Sequence, residues 1–279
     1  MGQIFKRVND IIYSKKMKYK SNNFALITGA AGLLGQEHSI ALLEENYDLI
    51  ITDVNYFKLI QLKKKYSKKF ANVIIAKKID VSDEKSIIGL AKFISKNKIK
   101  LSVLINNAAL DPKVSKNTKN KNNIEDFKSK IFFKEFNVGL LGALFTIKHL
   151  GPIICKNKDG GSIINIGSDL SVIAPNQNIY QNGFKKPISY SIIKHGLLGL
   201  TKYISTYWPD KKVRCNMISP GPILQKQPPK LISNLKKIIP LGRLAKKSEY
   251  KSAIQFLSSK KSSYITGQNI IIDGGRSVW

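Results

Sequence analysis

Two cysteines and three histidines are all that 279 residues offer to a disulfide or a transition metal. Cys155 and Cys215 have no Cys-x-x-Cys spacing, and His38, His149 and His195 are scattered without clustered carboxylates. The pattern predicts reduced thiols, a cytoplasmic setting and no metal. Acidic residues are scarce as well, 18 against 47 basic ones, for a formal charge of +29. Arginine is rarer still: Arg7, Arg214, Arg243 and Arg276 are the whole set. That argues against a specific nucleic-acid reader, because bidentate contacts to bases rely on the planar guanidinium. Lysines spread along nearly every expected helix face, often beside asparagine, read as a solvated surface with non-specific polyanion attraction. A part in drawing in an anionic substrate stays open. There is no run of 18 or more apolar residues, which argues against a membrane span.

What the chain does have is regular alternation. Its hydrophobic content, 43%, suits one α/β domain with a large core. From Phe24 onward short apolar runs alternate with amphipathic stretches, the signature of a doubly wound parallel sheet. Strands are expected at Phe24 to Thr28, Asp48 to Thr52, Asn72 to Ala76, Leu101 to Ile105, Ser162 to Ile166, Val213 to Ser219 and Asn269 to Ile272. Helices are expected at about Leu33 to Asn46, Tyr56 to Ser67, Asp83 to Lys96, Ile124 to Lys156, Ile188 to Tyr207 and Lys247 to Ser258. Residues 1–22 form a basic extension before a domain spanning 23–279. Lys113 to Asn123 reads as a low-complexity loop, and Gln225 to Pro229 as a proline-marked segment over a site.

The first strand runs into Thr28-Gly29-Ala30-Ala31-Gly32-Leu33-Leu34-Gly35, a turn that opens a helix. Such a turn meets a pyrophosphate with free backbone N–H groups and the positive helix end. Asp53 closes the second strand, 18 residues beyond Gly35, where a carboxylate accepts from the adenosine ribose hydroxyls and repels a 2′-phosphate. No lysine or arginine stands at Ala31, Val54 or Asn55, so NAD is expected over NADP. Downstream come a strand ending in Ser168 and the sequence Ser189-Tyr190-Ser191-Ile192-Ile193-Lys194. Tyr-x-x-x-Lys alone is weak, since about one or two matches arise by chance in a chain so rich in lysine. A second match, Tyr207 to Lys211, contains Pro209, which interrupts a helix, whereas Tyr190 and Lys194 fall on one face of a long helix.

These motifs, with Asp80-Val81, Asn106-Asn107-Ala108-Ala109, Asn137-Val138, Asn216 before Pro220-Gly221, and Tyr264-Ile265-Thr266-Gly267 in order, resemble the short-chain dehydrogenase/reductases from Phe24 to the C-terminus. The resemblance implies a single-domain Rossmann fold with a seven-stranded parallel sheet and alcohol–ketone interconversion by hydride transfer. The implied catalytic residues are Asn137, Ser168, Tyr190 and Lys194. Tyr190 would be the general acid/base, its phenol lowered by Lys194 and the oxidised nicotinamide; Ser168 would hydrogen-bond the substrate oxygen; Asn137 would anchor a proton-relaying water. The implied cofactor contacts are Gly29, Gly32, Leu33, Leu34, Gly35, Asp53, Asp80, Val81, Asn107, Ala108, Tyr190, Lys194, Pro220, Gly221 and Ile223, with Asn106 supporting the ribose side and central strand. The resemblance further implies a homodimer or homotetramer.

Two departures stand out. Leu33 replaces the glycine that many single-domain members carry. Ser168 and Tyr190 are 22 residues apart where the family usually has about a dozen, so an enlarged loop, 171–189, is expected over the substrate with a second loop at 222–240. Ala174-Pro175, Ile179-Tyr180, Pro187-Ile188-Ser189-Tyr190 and Ser219 to Leu224 look like the flagellin-modification type of dehydrogenase, associated with nonulosonic sugar biosynthesis. A sugar or amino-sugar phosphate is therefore the expected substrate, with Lys185 and Lys186 at the pocket. The alternatives are a 3-oxoacyl-acyl-carrier-protein reductase and an inactive polyanion-binding or scaffold protein.

Overall fold

Strand β1 (Phe24–Thr28) is buried along its whole length, and it is the axis from which the chain winds both ways. The computed structural model describes residues 23–110, 122–181 and 183–279; the basic extension and most of the Lys113 to Asn123 stretch lie outside the described residues. From β1 the chain passes through α1 (Leu33–Glu44), β2 (Asp48–Asp53), α2 (Tyr56–Ser67), β3 (Ile74–Lys78) and α3 (Glu84–Lys96) before returning to β4 (Leu101–Asn106) on the far side of β1. It continues through α4 (Ser129–Phe136), a π-helical turn (Asn137–Leu141), α5 (Gly142–Ile154), β5 (Gly161–Ile166), α6 (Ile188–Ser205), β6 (Val213–Pro220), α7 (Pro229–Lys237), α8 (Lys251–Ser258) and β7 (Asn269–Ile272).

The seven strands pair in the order β3-β2-β1-β4-β5-β6-β7, all in parallel, as the alternation predicts. Helices cover both faces, and this is why the central strands are apolar throughout instead of alternating with polar residues. Successive side chains leave opposite faces. Ala25 and Ile27 pack with Leu42, Leu59, Ile254 and Leu257, while Phe24 and Leu26 pack with Ile87, Ile94, Ile147 and Leu150 on the other side. Between β1 and β4 the winding reverses, and a crevice opens there beyond the carboxyl ends of the strands.

Four elements differ from expectation, each for a local reason. β3 begins two residues late, because Asn72 Nδ2 donates to Tyr47 O and Val73 N to Asp48 Oδ1, anchoring the preceding turn. The helix expected from Ile124 starts at Ser129 and widens into the π turn. The one expected at Lys247 opens as a 3₁₀ turn, Lys247–Tyr250. Helix α7 was hidden by its own prolines: Pro229 occupies the first helical position, where the lost N–H costs nothing. The continuous run Ser129–Ile154 is long and apolar enough to cross a membrane by length and composition, but Ile147, Leu150 and Ile154 are spent on the core.

Candidate active site

A cleft of about 560 Å³ occupies the crevice, within the usual range for small-molecule sites. One end is made by the glycine turn. Gly29 has φ +63° and sits so close to Ala108 that an added Cβ would lie 2.8 Å from its Cα. At Gly35 an added Cβ would lie 2.3 Å from Gly29 O, so the first turn of α1 packs directly on the turn's backbone. Gly32 caps α1 without a side-chain hydrogen bond and without an acidic residue in the first turn. That helix end, with Leu33 and Leu34, borders the cleft and offers N–H groups to an anion. Asn107 stitches the turn to β4, its Nδ2 donating to Thr28 O and Gly29 O at 3.0 Å each. Asp53 fixes the other flank, its Oδ2 accepting from Ala31 N at 3.1 Å and Oδ1 from Asn55 N at 2.9 Å. The sheet register also sets Lys78 of β3 opposite Asp53, a neighbourhood that linear sequence does not reveal.

The other end gathers Ser168, Tyr190 and Lys194 against Pro220, Gly221 and Ile223. Lys194 is buried on α6 and its Nζ donates to Ile166 O at 2.9 Å, 5.7 Å from the centre of the Tyr190 ring. Lys186 reaches in from the enlarged loop and places its Nζ 3.7 Å above the same ring. Gly221 is crowded by Asp273, whose Cα would lie 2.5 Å from an added Cβ, and its carbonyl accepts from Tyr250 Oη at 3.3 Å. Burial first, then the charges of Asp169, Glu249 and Asp273, raise the Tyr250 phenol above its ordinary value against the opposing pull of Arg243, so it remains a donor. Ser168 Oγ donates to Asp169 Oδ1 at 2.8 Å and accepts from Leu170 N at 3.2 Å. With no ligand bound, the serine proton therefore points at Asp169.

Asn137, Gly35, Asp80 and Val81 do not line the cleft. Asn137 opens the π turn, and such turns recur at functional sites. Asp80 is exposed and accepts from Ser82 N and Oγ, while Val81 packs on Gly142. Asn106 turns away into a buried ladder: it accepts from Thr146 Oγ1 at 2.6 Å and donates to Asn165 Oδ1 at 2.9 Å, and Asn165 donates to Thr201 Oγ1 at 2.8 Å. The two expected loops do meet over the cleft, with Ile179 packed on Leu235, Ile239 and Leu244, and Asn234 Nδ2 donating to Ile179 O at 2.8 Å. Lys186, Gln225 and Gln227 line the cleft; Lys185 does not. The second Tyr-x-x-x-Lys runs from the turn after α6 into a 3₁₀ turn, with Tyr207 57% exposed and absent from the cleft lining. Sequence reasoning missed Asp169 and Arg276, which face each other at 2.5 Å in the cleft wall. Adjacency to Ser168 and the rarity of arginine were the available signals.

A family model described as Enoyl-(Acyl carrier protein) reductase matches residues 29–277. The chain is 29% identical over 266 residues to a 7alpha-hydroxysteroid dehydrogenase of Bacteroides fragilis, covering 92% of this chain and 95% of the relative. It is 31% identical to a 3-oxoacyl-acyl-carrier-protein reductase of Buchnera aphidicola, covering 90% and 96%. Among solved structures, a gluconate 5-dehydrogenase from Burkholderia cenocepacia in complex with NADP and tartrate superimposes with a TM-score of 0.81 at 21% identity, covering 92% of this chain and 96% of that one.

Proposed function

Because the chain belongs to the short-chain dehydrogenase/reductase family, whose nicotinamide-dependent oxidoreductases act on CH–OH groups, we propose that it interconverts an alcohol and a ketone on a sugar or amino-sugar phosphate, with NAD as the preferred cofactor. The observation that carries this reading is the convergence of Ser168, Tyr190, Lys194 and Lys186 in the cleft that begins at the glycine turn. The open end of α1 and the cradle at Gly29 fit a dinucleotide pyrophosphate, and Asp53 fits the ribose hydroxyls. The nicotinamide, when bound, supplies the hydride chemistry.

The protein's own groups supply the rest. Tyr190 exchanges a proton at its hydroxyl with the carbinol oxygen, and Lys194 and Lys186 place positive charge beside it, favouring the phenolate. The alcohol's single O–H faces Tyr190, and the Ser168 hydroxyl turns from Asp169 to donate to a lone pair of the substrate oxygen, in the alcohol as in the ketone. Lys186 offers a point charge for phosphate, and Gln225 and Gln227 offer amides for hydroxyls. Homo-oligomerisation accords with the exposed Ile131, Phe133, Leu144, Ile192 and Tyr203 on α4, α5 and α6. The free Cys155 and Cys215 accord with a cytoplasmic setting, and the enlarged loop with the flagellin-modification type.

A nicotinamide-coupled screen of phosphorylated sugars, nucleotide sugars, simple ketones and acyl thioesters tests the reading. Turnover of phosphorylated sugars, with a Michaelis constant raised by Lys186→Ala while the NADH dissociation constant holds, supports it. Efficient turnover of acyl thioesters with every sugar ignored would install the carrier-protein reductase in its place.

A further inference from the structure

The turn after β5 and the C-terminal turn bring together a pair of charges that neither the family motifs nor the proton-transfer steps use. Asp169 follows Ser168 in the 3₁₀ turn Asp169–Ser171, and Arg276 stands on the turn after β7, yet their side chains meet at 2.5 Å. Both line the cleft, and both are almost wholly enclosed, with side-chain exposures of 4% and 6%. Burying two charges is a poor way to gain stability, since an apolar pair of the same volume usually serves as well. A function at the cleft wall is the better account.

Counting donors and acceptors shows what the pair has left to give. Asp169 Oδ1 is filled by Ser168 Oγ and Leu170 N, while Oδ2 takes one bond from Arg276 Nη1 and keeps a second acceptor position. Arg276 has five N–H donors, of which one has a partner among the described residues. Arg276 lines the cleft, so donors on its guanidinium are within reach of a ligand there. One free acceptor beside several free donors is the complement of a hydroxyl group, which gives one proton and takes others. A carboxylate in the same place would be repelled by Asp169, and a methylene would leave the charges unanswered.

Resting on the sugar-dehydrogenase reading, we infer that Asp169 and Arg276 recognise a hydroxyl on the carbon next to the reacting one, so that the enzyme selects α-hydroxy ketones and vicinal diols over plain ketones and alcohols. The position follows from Ser168: its Oγ is the expected seat of the reacting oxygen, and Asp169 bonds directly to that atom. The pair is a specificity-determining element at the substrate oxygen's neighbour, while Lys186 reads charge farther out.

The test compares unphosphorylated α-hydroxy ketones with their deoxy counterparts, carbon for carbon, by loss of NADH absorbance. Wild-type protein is expected to favour the hydroxy ketone by at least about 100-fold in kcat/KM, as sites built to bind a hydroxyl do. In the double variant Asp169→Asn, Arg276→Met the preference falls to roughly 3-fold or less, on that same scale of discrimination, and NADH binds as before. Any loss through Ser168 is shared by both substrates and cancels in the ratio. Should the double variant not fold, Arg276→Lys keeps the ion pair with fewer donors and must still lower the ratio. A folded variant that retains the wild-type ratio, or a wild-type enzyme indifferent to the hydroxyl, overturns the inference. Because these substrates carry no phosphate, a failure of the phosphorylated-sugar reading leaves the ratio intact and is recognised separately.

Discussion

Replacing Asp53 by asparagine should reverse the cofactor preference, and the structure sets the size of the effect. The carboxylate is held on two backbone N–H groups, at 3.1 Å from Ala31 and 2.9 Å from Asn55, so it cannot swing aside to admit a second phosphate. A 2′-phosphate about 5 Å away carries close to two negative charges, and at an effective dielectric between surface and water values the repulsion is roughly 2–3 kcal/mol. That corresponds to about 30- to 150-fold in affinity. Asparagine keeps an oxygen for one of the two backbone donors and leaves the other to solvent, so the turn should survive while the charge goes. NADPH should then bind at least about 30-fold more tightly, and NADH up to about 10-fold more weakly through loss of charge-assisted bonds to the ribose. Lys78 stands opposite Asp53 in the β2–β3 register, and Lys78→Ala in the otherwise unaltered protein should sharpen the preference for NADH by removing a positive charge from that strand end. Fluorescence titrations of both cofactors, with circular dichroism to confirm the fold, decide the matter. A folded Asp53→Asn protein whose NADH-to-NADPH affinity ratio stays at the wild-type value would refute the placement of Asp53 at the ribose.

Tyr190→Phe should bind NADH normally and lose at least about 100-fold in kcat, because phenylalanine has no proton to exchange, whereas exposed Tyr207→Phe should be nearly silent; steady-state rates of the two proteins on one substrate check this. Gly35→Ala should weaken NADH binding by about 10-fold or more and cost about 1–3 kcal/mol of stability, since the new Cβ meets Gly29 O at 2.3 Å and backbone must shift; calorimetry and cofactor titration read both effects. His38 is fully buried with neither ring nitrogen bonded among the described residues, and burial lowers its pKa from 6.5 to about 3. The unfolded chain therefore binds one more proton between those values, and stability is full above pH 6.5 and falls on acidification toward pH 3. His38→Leu should match or exceed wild-type stability at pH 7 and flatten the acid slope by about 1.4 kcal/mol per pH unit between pH 6 and 4, seen in urea melts across that range.

The alternation of apolar runs with amphipathic ones located every strand of the sheet, because strand and helix periods are properties of neighbours along the chain. That the glycine turn, Asp53, Ser168, Tyr190 and Lys194 would gather at one cleft was legible too, each standing near the end of a recognisable strand or on the face of a recognisable helix. Proline dismissed the false tyrosine motif correctly but concealed α7, since the same residue that breaks a helix also starts one.

What required the folded chain is whatever depends on which distant segments become neighbours. Strand order and register placed Lys78 beside Asp53 and turned Asn106 from the ribose into the buried ladder with Thr146, Asn165 and Thr201. The path of one loop chose Lys186 over Lys185 for the cleft. Asp169 and Arg276 are 107 residues apart and carry no local pattern that couples them. Their partnership exists only because parallel strands bring the carboxyl ends of β5 and β7 to the same end of the sheet, with β6 between them, where two charges are enclosed together and must answer each other, or a ligand.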